Sequence, residues 1–126
     1  MTENELGKII VHAGYTVHSR IGVGLLESAY KECLFYELCK QGLFVEKEKE
    51  YPLIYDSVKM PVAYRADIVV ENKVIVELKA ISALTEYHHA QILSYMRLSG
   101  IKLGYLINFH EVLYKNGIHR KINGIL

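Results

Sequence analysis

The amino-acid sequence predicts an α/β domain with a mixed, central four-stranded sheet flanked by helices on both faces. Three observations carry this prediction. Helical periodicity and β-rich runs follow one another in the order α-α-β-β-β-α-β. The second and third β-rich runs are close enough to form a hairpin, which makes them antiparallel. The last helix separates two β-rich runs, as in a βαβ unit, whose strands are parallel.

Length and composition fit one domain spanning residues 1–126. Hydrophobic residues make up 51% of the 126 residues, which argues against disorder. No apolar run approaches the ~20 residues of a membrane span, and the first ten residues lack the layout of a signal peptide. We therefore expect a cytoplasmic protein that has no membrane partner. The net charge of +1 neither favours nor excludes a nucleic-acid partner.

Two helices are predicted before the first strand. Thr2 and Glu5 fit a capping box, which predicts a helix that ends near His18. Two glycines then interrupt the apolar stripe. A second helix is predicted over residues 25–41, with Gly42 as its C-terminal stop.

The remaining elements follow from alternation and apolar content. Alternating Glu and Lys in residues 44–55 predict an edge strand, because such charges discourage edge-to-edge pairing. A third helix is predicted over 85–99. The nearly continuous apolar run 102–109 predicts a central strand that is buried on both faces. For the basic tail, 111–126, a helper strand and a solvated patch both stay open.

The hairpin of residues 64–80 carries charges within its strands. Val and Ile dominate the runs 64–70 and 74–80, which a polar tripeptide separates. A buried charge is unfavourable unless it is paired or bound to a metal. The two runs nevertheless contain three charged residues that need an explanation, namely Asp67, Glu77 and Lys79.

The hairpin register decides whether the two acids meet. A three-residue turn pairs Val70 with Val74 and therefore Asp67 with Glu77, whose Cβ atoms would lie roughly 4.5–5.5 Å apart. Carboxylates that close repel unless a cation or a proton lies between them. A two-residue turn would instead pair Asp67 with Leu78. A shared site at the two acids therefore requires the three-residue turn.

The same register has an unfavourable consequence further along the strands. It places Arg65 opposite Lys79, and like charges at opposed positions repel. We therefore expect either that the strands diverge there or that the two cations have anionic neighbours. A structural ion cluster of Asp67, Glu77 and Lys79 is one alternative to a functional site.

Two motifs resemble known families. Asp67 followed by Glu77-Leu78-Lys79 is similar to the PD-(D/E)XK nuclease superfamily, although Ala66 stands where the superfamily has Pro. The segment 24–30 reads G-x-x-E-x-x-Y and resembles the signature of the GxxExxY family of small prokaryotic proteins. That resemblance continues through the hairpin, through Gln91 to Tyr95, and into residues 104–109. It implies a restriction-endonuclease-like (PD-(D/E)XK) core.

The resemblance also implies a set of site residues. Asp67, Glu77 and Glu27 would bind Mg²⁺ or Mn²⁺, hard cations that suit carboxylates. Lys79 would orient the attacking water. The remaining candidates would position the site or the substrate: Gln91, Tyr95 and Tyr30. Periodicity alone favours Glu27 as a solvated first-turn acid that complements the helix dipole. Spacing alone equally fits Gln91 with Tyr95 as the polar edge of an amphipathic helix.

Two functional hypotheses follow. The first is a metal-dependent nuclease or nuclease-like protein that hydrolyses phosphodiester bonds of DNA or RNA. The alternative is a catalytically inactive interaction module or homo-oligomer with the same fold, since fold alone does not determine function.

Overall fold

The computed structural model describes all 126 residues. Its α-helices are α1 (Glu3–Ile21), α2 (Glu27–Lys40) and α3 (Glu86–Ser99), and a short 3₁₀ helix covers Tyr114–Asn116. Its strands are β1 (Val45–Tyr55), β2 (Val58–Val70), β3 (Val74–Lys79), β4 (Leu103–Asn108) and β5 (Ile118–Ile122). None of the helices is long and apolar enough to cross a membrane.

The strands form one mixed sheet in the order β1-β2-β3-β4-β5. Only β3 and β4 are parallel, and α3 connects them, as the βαβ pattern predicts. β1 lies at the edge, which confirms the interpretation of its alternating charges. The hairpin turn spans residues 71–73 and pairs Val70 with Val74, so the odd register is confirmed.

The prediction of four strands is wrong by one, because the tail adds β5. This strand pairs antiparallel with β4, with Leu106 opposite His119. Only one face of β5 contributes to the core, through Ile118. A strand with so little apolar content has no period-2 signal to separate it from a solvated basic segment. The pairing therefore decides between the two interpretations that the sequence left open for the tail.

The predicted N-terminal cap of the first helix is confirmed, although this helix ends at Ile21 rather than near His18. Thr2 and Glu5 form the capping box of α1. Thr85 caps α3, and Gly100 ends it in the left-handed conformation that Gly adopts without strain. The second helix begins at Glu27 rather than Leu25, so Glu27 is the first residue of α2.

The sheet separates two apolar layers. α1 and α2 pack on one face, against side chains that include Val76, Leu78 and Tyr105. α3 covers the other face with Ile92 and Met96. Because side chains alternate along β3, Glu77 and Lys79 belong to the face that α3 covers.

A glycine in α1 allows an aromatic ring to lie against the helix backbone. Tyr114 is buried, and its hydroxyl donates a hydrogen bond to the carbonyl of Val11 at 2.9 Å. A Cβ atom on Gly14 would lie 2.9 Å from Cζ of that ring, well inside van der Waals contact. The ring therefore requires glycine at this helical position.

We expect Gly14→Ala to destabilise the fold. The helix gains about 1 kcal/mol from Ala over Gly, but overpacking against Tyr114 costs about 1–3 kcal/mol. The net effect should be a lower melting temperature in thermal denaturation. The control is Ser19→Ala at an exposed position of the same helix. A Gly14→Ala protein as stable as the wild type would show that the ring moves freely.

Candidate active site

The candidate site lies where β2 separates from β3. Their ladder ends at the pair Ile68–Val76, and Asp67 and Glu77 come next in register. Here the N–H of Asp67 donates to Glu77 Oε2 at 2.7 Å, and the N–H of Leu78 donates to Asp67 Oδ2 at 2.9 Å. Each carboxylate thus accepts a main-chain N–H of the opposite strand, in place of a ladder carbonyl. The two acids therefore converge as the register predicts.

Beyond this point β2 pairs only with β1, as far as Val58 opposite Tyr55. Arg65 consequently lies opposite Glu50 rather than Lys79. The expected repulsion between the two cations is thus removed by divergence of the strands. We call the two-stranded part formed by residues 50–55 and 58–65 the hairpin arm.

Burial makes Glu77 an unusual acid. Only 4% of the residue is exposed. Desolvation, and then the charge of Asp67, raises the pKa of Glu77, while the Asp67 N–H and the Lys79 charge oppose the rise. A proton or a cation between the two carboxylates would relieve this repulsion. The second oxygen of Glu77, Oε1, makes no hydrogen bond within the protein. It is therefore free to bind a proton or a cation.

Glu27 belongs to the same electrostatic environment. It is half-buried at the start of α2. Its pKa is raised by burial first and by the charge of Asp67 second, and lowered by Lys79 and Lys31. No hydrogen bond fixes its carboxylate. The structure therefore brings Glu27 close enough to Asp67 and Lys79 for their charges to act on it.

The loop before α2 positions Glu27 through Tyr30. Tyr30 is fully buried, and its ring stacks on Phe109 with 4.8 Å between ring centroids. Its hydroxyl donates to the Gly22 carbonyl at 2.7 Å and accepts from the Leu25 N–H at 3.3 Å. With no exposed surface, Tyr30 does not contact a substrate directly. It holds the loop from which Glu27 emerges.

Lys79 lies at the carboxyl end of β3 and forms no ion pair. It is half-buried and pairs in register with Asn108 of β4. The Asn108 side chain accepts from the Ile81 N–H at 3.1 Å and donates to the Ile81 carbonyl at 2.9 Å. This clamp fixes the chain that leaves β3. Lys79 is thus held beside Glu77 and Glu27 with its ammonium group uncommitted.

Gln91 and Tyr95 approach from α3. Gln91 Nε2 donates to the Tyr95 hydroxyl at 3.1 Å, and Gln91 makes no hydrogen bond to the acids or to Lys79. Tyr95 stacks on Tyr64, which in turn stacks on Tyr51, with centroids 4.7 and 5.9 Å apart. Burial and then the charge of Glu77 raise the pKa of Tyr95. Tyr95 therefore lies close enough to the acids for their charge to act on it, and it ties the hairpin arm to α3.

Sequence reasoning missed Lys31. Its Nζ lies 3.5 Å from Asp67 Oδ1 and 3.4 Å from Glu48 Oε1, and its side chain is 14% exposed. Glu48 meets it from β1, where a φ of 51° interrupts the regular strand. The signal was available, because Lys31 lies four residues after Glu27 and shares its helix face. Lys31 supplies the charge that partly balances the acids.

The donor set suits a hard divalent cation. Carboxylate oxygens are the ligands that Mg²⁺ and Mn²⁺ prefer, and burial first and the charge of Asp67 second raise the pKa of Glu77. No group of three or more His, Cys, Asp or Glu side chains has the arrangement of a complete metal centre. Mg²⁺ is commonly held by one or two carboxylates with water filling the shell. Asp67 and Glu77 together match that smaller requirement.

A family model for the PD-(D/E)XK nuclease superfamily matches residues 4–121 of the chain. The match covers every candidate residue, from Glu27 on α2 to Tyr95 on α3. Neither the curated proteins nor the solved structures include a match to this chain.

We expect the stability of the metal-free protein to decrease as the pH rises from mildly acidic to mildly alkaline. Glu77 has a pKa raised from 4.5 to about 8, so the folded state binds more protons than the unfolded state in this window. Stability then decreases with pH, by on the order of 1 kcal/mol per pH unit at most. Thermal denaturation in EDTA across this range measures the slope.

The matched variants are Glu77→Gln and Glu50→Gln. Glu77→Gln keeps an acceptor for the Asp67 N–H but does not titrate, so its melting temperature should depend less on pH. Glu50 is exposed on the hairpin arm, and its variant should retain the wild-type slope. Equal slopes for wild type and Glu77→Gln would contradict the proton uptake assigned to Glu77.

Proposed function

This chain belongs to the PD-(D/E)XK nuclease superfamily, and we propose that it hydrolyses phosphodiester bonds of DNA or RNA with the help of a divalent cation. The observation that carries the proposal is the convergence of two carboxylates where β2 leaves β3. Asp67 and Glu77 are bound to each other's strands there. Lys79 follows on the same face of β3.

Asp67 and Glu77 are the proposed ligands of Mg²⁺ or Mn²⁺, with Glu27 as a third acid directly or through water. A bound cation would supply Lewis-acid chemistry, activating water and stabilising the charge that develops on phosphate. The three acids would contribute negative charge at positions that are buried or half-buried. Burial first and the charge of Asp67 second raise the pKa of both Glu27 and Glu77. This supports the assignment, because a bound cation would stabilise the charged form of acids that are partly removed from water and close to one another.

We propose that Lys79 is catalytic and that its Nζ orients the attacking water. An ammonium group has three donors and no acceptor, so it can bond a water oxygen and a phosphate oxygen together. Lys79 forms no ion pair within the protein, so its Nζ is available to a water or a phosphate oxygen. Stabilising charge that appears only in the transition state is the most effective use of such a donor.

The remaining candidates are proposed to act on position rather than chemistry. Gln91 holds Tyr95 through a hydrogen bond, and Tyr95 presents its ring and hydroxyl beside the acids. A base or sugar of the substrate could lie against this aromatic surface. Tyr30 is proposed to act through the loop that carries Glu27.

Membership of the GxxExxY family is part of the proposal. The structure of segment 24–30 supports it, because the Gly, Glu and Tyr of the signature each have a different structural role. Gly24 has a φ of +105°, which other residues rarely adopt. Tyr30 binds the loop that contains this glycine, and Glu27 is displayed between them at the start of α2.

A non-catalytic interaction module or homo-oligomer is the second candidate. The hairpin arm favours it, because apolar side chains outside its Tyr64–Tyr95 contact with α3 are exposed. Four of them are about half exposed or more: Ile54, Tyr55, Val58 and Val62. Exposed apolar side chains gathered on one element can form a surface that binds another macromolecule.

We expect Lys79→Gln and Asp67→Asn to lose about 10²–10³-fold or more in cleavage rate, because each removes a group that acts on the transition state. The assay uses end-labelled single- and double-stranded DNA and RNA with Mg²⁺ or Mn²⁺, and EDTA as the blank. Lys59→Gln, at an exposed lysine of the hairpin arm, is the control with the same charge change. Wild-type protein that binds Mn²⁺ but cleaves none of these substrates would favour the interaction module.

We expect divalent cation to raise the melting temperature of the wild type, and to raise that of Glu27→Gln by less. A ligand that binds only the folded state stabilises it by about 2.7 kcal/mol at a hundred times its Kd, and Glu27→Gln should weaken the Kd. Glu86→Gln, the first-turn acid of α3, is the matched control. An identical cation response in wild type and Glu27→Gln would exclude Glu27 from the site.

A further inference from the structure

A groove separate from the candidate active site runs along α1. It lies between α1 residues 4–15 and the segment 113–120, and we call it the α1–β5 groove. Its volume is about 910 Å³, near the upper end of the roughly 300–1,000 Å³ of small-molecule sites. Residues 4 to 15 span about 16 Å along a helix. Tyr105 of this groove packs on the α1 side of the sheet, whereas Glu77 belongs to the α3 side.

The floor of the groove is apolar. Val11 and Tyr15 line it from α1, and Tyr105, Leu113 and Ile118 line it from the opposite wall. Tyr15 and Leu113 are more than half exposed. Apolar lining of this kind is typical of grooves that bind small molecules.

The rim of the groove carries only positive charge. Lys8, Lys115 and Arg120 line it, and no Asp or Glu does. None of these three residues forms an ion pair within the protein. Arg120 donates one hydrogen bond, to Asn4 Oδ1 at 2.6 Å, and its other donors are uncommitted.

One polar group of the floor also lacks a partner. Tyr105 is only 5% exposed, and its hydroxyl makes no hydrogen bond within the protein although the residue lines the groove. Tyr105 is opposite Arg120 in the β4–β5 register, so the two share a face of the sheet. A ligand oxygen placed between them would satisfy both donors.

We infer that the α1–β5 groove binds a small anionic molecule with an elongated apolar body. The apolar floor would cover the body, and the basic rim with the Tyr105 hydroxyl would bind the acidic groups. A symmetric dimer through this groove would bring each basic rim against its own copy, which is unfavourable. A nucleic-acid backbone would match the rim but leave the apolar floor uncovered.

The test is a titration of the folded, full-length protein with 8-anilinonaphthalene-1-sulfonate, an anionic aromatic dye. Fluorescence gives the affinity, and amide chemical shifts identify the site. We expect saturable binding of one dye per chain, with shift changes concentrated at residues lining the groove. The same NMR spectra verify that the protein is folded, because partly folded states also bind this dye.

Three variants separate the contributions. Lys115→Gln with Arg120→Gln should weaken dye binding about tenfold or more, because charge-assisted hydrogen bonds are lost. Tyr105→Phe should weaken it several-fold without lowering the melting temperature, since its hydroxyl has no partner in the protein. Lys59→Gln with Lys102→Gln, at exposed positions outside the groove, removes the same charge and should leave the affinity unchanged.

The inference is overturned if the dye does not saturate, if its shifts map elsewhere, or if the groove and control variants weaken binding equally. It is also overturned if a single-stranded oligonucleotide shifts Tyr105 and Ile118 more strongly than the dye does, because the groove would then be a nucleic-acid surface. These outcomes are independent of nuclease activity, which concerns the other face of the sheet.

Discussion

Two carboxylates accept main-chain hydrogen bonds from each other's strands at the point where β2 leaves β3. A sheet edge that opens inside a domain would leave N–H groups without acceptors, which is unfavourable when they are buried. Asp67 and Glu77 supply those acceptors from their side chains. The same interaction allows β2 to continue with β1 as the hairpin arm, and it holds two negative charges close to Lys31 of α2 and Tyr95 of α3.

The elements around these two acids place positive charges near them and fix the adjoining loops. Lys31 contacts Asp67 from α2, and Lys79 remains unpaired on β3. Tyr30 and Asn108 are both buried. Tyr30 holds the loop that leads to Glu27, and Asn108 holds the segment that follows Lys79. The candidate site thus combines rigid support with incomplete charge balance. Incomplete balance is expected of a site that acquires a cation.

Most of the fold could be predicted from local patterns. Capping residues, apolar periodicity and a three-residue turn are encoded within a few positions, so α1, α3 and the hairpin register follow from the sequence. β5 could not be predicted in the same way, because its pairing with β4 depends on a tertiary contact and only Ile118 of it joins the core.

The site shows the same division. The convergence of Asp67 with Glu77 follows from strand register. The placement of Glu27 near them was predicted only from the resemblance to a known family, because the spacing of residues does not indicate it. Lys31 and Asn108 act through contacts between distant segments, and their partners are visible only in the folded chain. Tyr30 is the Tyr of the G-x-x-E-x-x-Y segment, which the sequence shows. Its burial, however, depends on tertiary packing, and this burial is the reason that Tyr30 holds the loop rather than contacts a substrate.

The central claim is that the acids at the divergence of β2 and β3 bind a divalent cation. The most direct measurement is anomalous diffraction from a crystal of the protein soaked in Mn²⁺. The account predicts an anomalous peak within coordination distance of carboxylate oxygens of Asp67 and Glu77, roughly 2.0–2.2 Å by analogy with similar hard cations. Full Mn²⁺ occupancy elsewhere, with Asp67 and Glu77 still bonded only to each other's main chain, would contradict it.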